Sequence, residues 1–338
     1  MAEHYSIGVG RTFKNFPAAK ETKRFYTTAI KDNNVNEPKL SPNWVTGFAD
    51  GESSFMLNVH KKSSYKIGWG VQPEFNISLH IKDLILLREL HLFFGVGSIY
   101  VHEAKNMASY RVASLRDITN VIIPHFDKYP LITQKKADFI LFKQGVNLLN
   151  FKAHREIEGL RHILSLKASM NRQVQSEKLI TNFPGILPHP RPIVSFDKSL
   201  HPDWFTGFVD GEGCFYVKIT KNKKTKYGVN LSMEFSISQH VRDELLLTKF
   251  IEYLGCGTVY KFSTRPDSVS FTVSKFKYIS EKVIPFFQKY PLQGIKALDF
   301  KCFCEISKIV ESKGHLSDEG LKKIKSLKSG MNKNRELN

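Results

Sequence analysis

Between residues 71 and 81 apolar and polar side chains alternate. Val71, Phe75, Ile77, Leu79 and Ile81 fall on one parity, and Gln72, Glu74, Asn76, Ser78 and His80 on the other. Period two predicts a long strand with one buried face and one polar face. The pattern returns as Val229, Leu231, Met233, Phe235 and Ile237 against Asn230, Ser232, Glu234, Ser236, Ser238 and His240. A strand at 55–61, with Asn58 and His60 outward, precedes the first copy. Helices at 83–94 and 243–254, each closed by a glycine, follow the two long strands. Strand pairs come next, at 98–102 with 110–112 and at 258–262 with 270–273. Each half then has a helix ending in Lys-Tyr-Pro-Leu, at 128–131 and 289–292. Further helices are predicted around 135–150, 155–170, 295–312 and 317–330.

The order predicts an α+β fold, a tandem duplication of αββαββα halves. Two antiparallel four-stranded saddle sheets would lie about a pseudo-twofold helix pair. The halves run over 41–172 and 201–333, behind a flexible tail at 1–40. Between them, 173–200 carries Pro184, Pro188, Pro190 and Pro192 and reads as an extended linker.

Each half opens on the same phrase. Residues 43–55 and 203–215 agree at eight of thirteen positions, and Glu52 and Glu212 lie 160 residues apart. Ser41-Pro42 and His201-Pro202-Asp203 supply helix starts. Gly47 and Gly51, like Gly207 and Gly211, stand one turn apart on one helix face. A glycine inside a helix costs about 0.5–1 kcal/mol relative to alanine, so repeated pairs need a compensating contact. Close packing of the two motif helices supplies it.

Packed in that way, the helices would bring Glu52 and Glu212 out at one end. Neighbouring carboxylates repel unless a cation lies between them, and Mg2+ is the cation expected; the sequence leaves the number of ions open, two or three sites being among the options. Carboxylates and metal beside a basic surface describe a phosphodiester hydrolase. Asp50 and Asp210 point elsewhere on the helix and read as structural.

Charge narrows the partner. Fifty Lys and Arg against 32 Asp and Glu give a net charge of +18, which attracts polyanions. Double-stranded DNA is the expected partner, met by a monomer with no membrane contact and no obligate protein partner. No apolar run approaches the roughly 18–20 residues of a membrane span. The four cysteines have no C-x2-C spacing, so no zinc site is expected. No Ser-His-Asp grouping or phosphate-binding loop appears, and His80 and His240 read as capping or packing residues.

The polar strand faces are the expected DNA surface, since alternate side chains of a β-ribbon reach base edges in the major groove. On the long strands the candidates are Gln72, Glu74, Asn76, Ser78, Asn230, Ser232, Glu234, Ser236 and Ser238. On the shorter strands they are Asn58, His60, Lys62, Tyr100, Arg111, Tyr216, Lys218, Lys221 and Thr272. Lys223, Lys224 and Lys226 join Lys221 as phosphate clamps, with Lys61, Lys62 and Lys66 as first-half equivalents.

With these motifs in hand, the chain resembles the LAGLIDADG homing endonucleases, and more narrowly the monomeric two-motif type of fungal organellar introns. Thr-Gly-Phe-Ala-Asp-Gly-Glu and Thr-Gly-Phe-Val-Asp-Gly-Glu carry the resemblance, supported by the run 127–135, Ile237-Ser238-Gln239-His240 and Leu254-Gly255-Cys256-Gly257. The resemblance implies cleavage of both strands of a long site across the minor groove, leaving short 3′ overhangs. It also implies metal binding by Glu52 and Glu212, helped by the Gly51 and Gly211 carbonyls. An assisting base from the end of the fourth strand maps to Lys275, with Ser114 in the first half. Relatives often carry Gln in the middle of the long strand, where this chain has Asn76 and Ser236. A mitochondrial location follows from the same resemblance. The alternative is an RNA-binding intron maturase without nuclease activity, its partner the host intron RNA.

Overall fold

The computed structural model describes residues 23–25 (backbone pairing only), 40–171, 177–196, 199–225 and 227–332. It divides into two compact units, one running from Lys23 to Gly211 and one beginning at Glu212. The expected tail and Lys226 lie outside the described residues, apart from residues 23–25 and Leu40, which is buried in the core of the first unit.

The first unit runs β1 (Lys23–Phe25), α1 (Pro42–Glu52), β2 (Ser53–Lys61), β3 (Trp69–His80), α2 (Leu84–Phe94), β4 (Ser98–His102) and β5 (Met107–Val112). A continuous helical stretch follows, α3 (Leu115–Asp117) and α4 (Ile123–Lys128) joined by a π turn. Then come α5 (Lys135–Asn150), α6 (Ile157–Ala168), α7 (Glu177–Asn182) and the second motif helix, α8 (Pro202–Glu212). The antiparallel sheet has the order β1-β4-β5-β3-β2, so the four predicted strands are present and β1 pairs along β4 as a fifth.

The second unit repeats the order with β6 (Gly213–Lys221), β7 (Val229–His240), α9 (Glu244–Leu254), β8 (Thr258–Phe262) and β9 (Arg265–Val273). Helices α10 (Phe276–Tyr278), α11 (Ile284–Lys289), α12 (Lys296–Glu311) and α13 (Asp318–Ser329) complete it. Its sheet is β6-β7-β9-β8. The long strands β3 and β7 follow the predicted alternation over Phe75–His80 and Met233–Ser238, whereas β9 is buried on both faces from Ser268 to Val273. Phe55, Leu57, Phe75, Ile77, Tyr110 and Val112 are buried in the first sheet, and Phe215, Val217, Phe235, Ile237, Phe271 and Val273 in the second.

Each unit locks its long helix to its first strand with the same asparagine. Asn171 and Asn332 adopt left-handed backbone, φ 54° and 56°. Asn171 donates its backbone N–H to Asp138 and its Nδ2 to the Phe55 carbonyl; Asn332 does the same to Asp299 and Phe215. Asparagine tolerates this region better than most residues, and its amide here reaches a strand carbonyl.

The proline-rich connector departs from a bare extended linker. Leu179 and Phe183, in and just after α7, join Trp69, Leu160 and Leu164 in a satellite core. Prolines remove donors, so this stretch binds largely through its carbonyls. Leu187 O accepts from Ser165 Oγ at 2.7 Å and His189 O from Ser169 Oγ at 2.5 Å. Arg191 donates to Asp138 Oδ1 (2.6 Å), Ser169 O (2.8 Å) and Gln134 O (3.0 Å).

Candidate active site and nucleic-acid face

The motif helices α1 and α8 touch backbone to backbone. A Cβ placed on Gly47 would lie 1.9 Å from the Trp204 carbonyl oxygen, and one on Gly207 2.1 Å from that of Trp44. No side chain fits at either position. The contact is reciprocal in its polar groups as well. Trp44 Nε1 donates to Asp210 Oδ2 (3.0 Å), and Trp204 Nε1 to Asp50 Oδ2 (2.8 Å). Each tryptophan stacks on a phenylalanine one turn later, Trp44 on Phe48 and Trp204 on Phe208, with centroids 5.0 Å apart. Ser41 does not cap its own helix; its hydroxyl donates to Asp203 Oδ2 at 2.6 Å, tying the start of α1 to the start of α8.

Asp50 is therefore a fastening group. Its carboxylate also accepts from Ile132 N (2.9 Å), Thr133 N (3.2 Å) and Thr133 Oγ1 (2.6 Å). Burial still outweighs these bonds and pushes its pKa up to about 6.

The last residue of each helix has a different setting. Glu52 and Glu212 are half-buried, less enclosed than the aspartates two residues earlier. A Cβ on Gly211 would lie 3.2 Å from Glu52 Cγ and 3.9 Å from its Oε1, so the Glu52 side chain lies against the last turn of α8. Among the described residues no three His, Cys, Asp or Glu side chains cluster as a metal cage. What the motif offers a cation is hard oxygen only, which fits an ion that keeps water and takes its other ligands from a phosphate.

One cation at this helix end was missed by sequence reasoning. Lys135 Nζ donates to the carbonyls of Ala49 (2.9 Å) and Gly51 (3.0 Å), at the C-terminal, negative dipole end of α1. The Gly51 oxygen, expected to face a metal, thus spends one lone pair on an ammonium. The equivalent Lys296 opens α12 close to Cys214; burial pushes that thiol up and the lysine opposes the shift. A signal was available: a lysine follows Lys-Tyr-Pro-Leu four residues on in both halves, at 135 and 296. Lys275, by contrast, is exposed, with Nζ 5.7 Å from the Tyr278 ring. Ser114 accepts from Asp117 N at 3.3 Å, an ordinary helix cap.

The polar face of the first sheet is ordered by its strand register. Asn58 stands opposite Gln72, Asn76 opposite Arg111, and Ser78 opposite Ser109, which in turn faces Tyr100. Gln72 and His60 are exposed, while Asn58, Lys62, Asn76, Ser78, Tyr100 and Arg111 are half-buried. Lys62 donates to Tyr65 Oη (2.9 Å) and lies over its ring. A Cβ on Gly70 would come within 2.9 Å of His60 Nε2, so the missing side chain leaves His60 room across β3. Glu74 does not stand free as a reader. It is 6% exposed and accepts from Asn58 Nδ2 (2.8 Å) and Arg111 Nη2 (2.5 Å). Burial raises its pKa, and Arg111 and Asn58 oppose the rise.

The second face uses smaller and more neutral groups. Lys218, Asn230 and Ser232 are exposed, and Tyr216, Glu234, Ser236 and Ser238 half-buried. Thr272, at the Arg111 position of the repeat, is 8% exposed and donates to Tyr260 Oη at 3.3 Å. Tyr260 was another omission, although Tyr100 marks the same place in the first half. Glu234 is raised by burial and lowered by nearby Lys218. Lys223 and Lys224 are exposed in the turn after β6, and Lys221 ends that strand on the parity of its core residues.

Two helices in backbone contact, each ending in a glutamate, together with two sheets that each carry one polar face, define the LAGLIDADG architecture. The model of the LAGLIDADG endonuclease family matches residues 45–146 and 205–307, and the chain belongs to that family. It is 41% identical over 287 residues to "Probable intron-encoded endonuclease 3" of Neurospora crassa, a match covering 84% of this chain and 53% of the relative. The chain thus spans about half the length of that relative. "Probable intron-encoded endonuclease 2" of the same fungus is 36% identical over 316 residues, covering 87% and 68%. Among solved structures, I-SmaMI bound to uncleaved DNA target in the presence of calcium ions superposes with a TM-score of 0.84 at 43% identity, covering 87% of this chain and all of that one. The I-LtrWI homing endonuclease bound to target DNA gives 0.84 at 38% identity, covering 87% and 99%.

Proposed function

We propose that the chain is a site-specific DNA endonuclease that hydrolyses both strands of a long target with the help of a divalent cation, leaving short 3′ overhangs. The observation that carries this reading is the doubled helix tip, Glu52 and Glu212, behind glycines that only a helix–helix contact explains. In this reading the two glutamates, with the carbonyls of Gly51 and Gly211, hold Mg2+. The ion would supply a Lewis acid for the phosphate and a more acidic water. Lys135 and Lys296 stand ready to offset charge at the helix tips, with Lys275 as the alternative basic group. The sheet faces bind the duplex as a monomer, and the exposed turn lysines hold its phosphates. The intron-encoded fungal relatives support a mitochondrial setting. They also support a role in intron mobility, over the maturase reading that loss of a motif carboxylate would have favoured.

Plasmid cleavage tests the proposal. Glu52→Gln and Glu212→Gln should each bind target duplex as the wild type does and lose the double-strand break. Cutting that survives in both variants, or a wild type that binds only folded RNA, would sink the assignment.

A further inference from the structure

The two polar faces differ at one position of the repeat that carries a partly buried ion pair in the first sheet, Arg111 against Thr272. Arg111 stands on the polar face of β5, opposite Asn76 on β3 and Ser98 on β4. Its guanidinium is held from below by Glu74, whose Oε2 also takes the Asn58 amide. The side chain of Glu74 is 7% exposed and that of Arg111 35%. Arg111 Nε is buried with no hydrogen-bond partner among the described residues, so any donor offered outward must come from the Nη pair, of which Nη2 also binds Glu74. A cation that only neutralises phosphate needs no such support; the exposed lysines 223 and 224 in the β6–β7 turn represent that type.

A planar fork fixed on a sheet face matches the O6 and N7 acceptors of guanine in the major groove. We infer that Arg111, oriented by Glu74 and Asn58, reads one guanine in the half of the target lying on the first sheet. At the equivalent step of the other half no guanine is required. There the repeat places Thr272, whose hydroxyl donates to Tyr260, and the carboxylate at the Glu74 position, Glu234, stands opposite Tyr216 with the charge of Lys218, a point charge without a fork, on the next outward position of β6. This rests on the endonuclease reading and deepens it, since it makes the target asymmetric at a stated pair of positions. Glu74 and Asn58 are positioning residues, and Arg111 touches the base.

The test is selection of bound duplexes from a library randomised across the target. It is run on the full chain as wild type, Arg111→Lys, Glu74→Gln, and the double variant Arg111→Ala/Glu74→Gln. The double variant removes the buried charge together with its partner, and thermal melting checks that it folds. Wild type should select guanine at one pair by about tenfold or more, as a bidentate contact gives. Arg111→Lys and the double variant should lose that preference alone, keeping those at other positions. Glu74→Gln should weaken it without removing it. If the variants lower affinity equally for all sequences and flatten the salt dependence, Arg111 is a phosphate clamp and the inference is overturned. A guanine requirement of equal strength at the mirrored pair would also overturn it. A wild type with no sequence preference anywhere would overturn the endonuclease reading itself, an outcome distinct from the other two.

Discussion

Helices α6 and α13 hold the same place in the two repeats, yet their outer faces differ in kind. Leu160 and Leu321 correspond and are both buried. One turn on, Leu164 is 1% exposed whereas its counterpart Lys325 is exposed. The difference is the cover. On α6 the connector lays Leu179 and Phe183 over Leu164 and bonds back to Ser165 and Ser169. On α13 the same face carries Lys322, Lys323 and Lys325 in solvent. A duplicated fold keeps its inner contacts and lets its outer faces follow whatever lies against them. Asp138 shows the same effect in its polar bonds. It shares the Asn171 contact with its counterpart Asp299 and Asn332, and adds Arg191 from the connector.

The largest expected effect comes where the repeats are alike. Gly47→Ala and Gly207→Ala each push a methyl to about 2 Å from a carbonyl oxygen of the facing helix. Neither backbone can yield without separating the helices, so each variant should lose about 3 kcal/mol or more, at the upper end of overpacking costs. Denaturant midpoints should fall by similar amounts in the two. A large loss in one and none in the other would break the equivalence of α1 and α8.

The next effect lies where the repeats differ. Leu164→Lys buries an ammonium under the connector and should cost about 3 kcal/mol. Lys325→Leu, on the uncovered face, should change stability by less than about 0.5 kcal/mol. Comparable losses at both sites would mean that α13 is covered too.

How much of this could be read in the chain follows from the range of the interactions. Alternation in β3 and β7 gave the strands, and the glycines gave the helix contact, because each is a pattern within a dozen residues. The sheet order agreed with the duplicated hairpins. What escaped depended on contacts between distant segments. Asp50 read as structural, but nothing local said that its partners would be Trp204 and Thr133. Glu74 looked like every other polar strand residue until Arg111, 37 positions on, was seen to occupy it. Lys135 was visible as a repeated lysine, yet its role at the Ala49 and Gly51 carbonyls required the helix end and the loop together.

The smallest effect concerns another difference between the repeats, His125 against Phe286 three residues before the Lys-Tyr-Pro-Leu signature. Burial depresses His125 to about 4 from an ordinary 6.5. Thr46 Oγ1 already donates to Tyr129 O, so the 3.1 Å contact is donation from His125 Nε2, which fixes the neutral tautomer. A histidine depressed in the folded state stabilises the fold above the unfolded pKa. That contribution is lost as pH falls from about 6.5 toward 4, by at most about 3 kcal/mol. Asp50 acts in the opposite sense. Its pKa is raised from 3.8 to about 6, so its burial is unfavourable above that range and is relieved as pH falls through it. The wild type should therefore show a shallow pH dependence in which the two groups oppose each other. His125→Phe copies the second repeat and removes only the histidine term, leaving Thr46 its bond to Tyr129. The variant should gain on the wild type as pH falls from 7 to 4.5, by about 1–2 kcal/mol in denaturant unfolding. An unchanged difference across that range would mean that His125 takes up its proton in the folded chain.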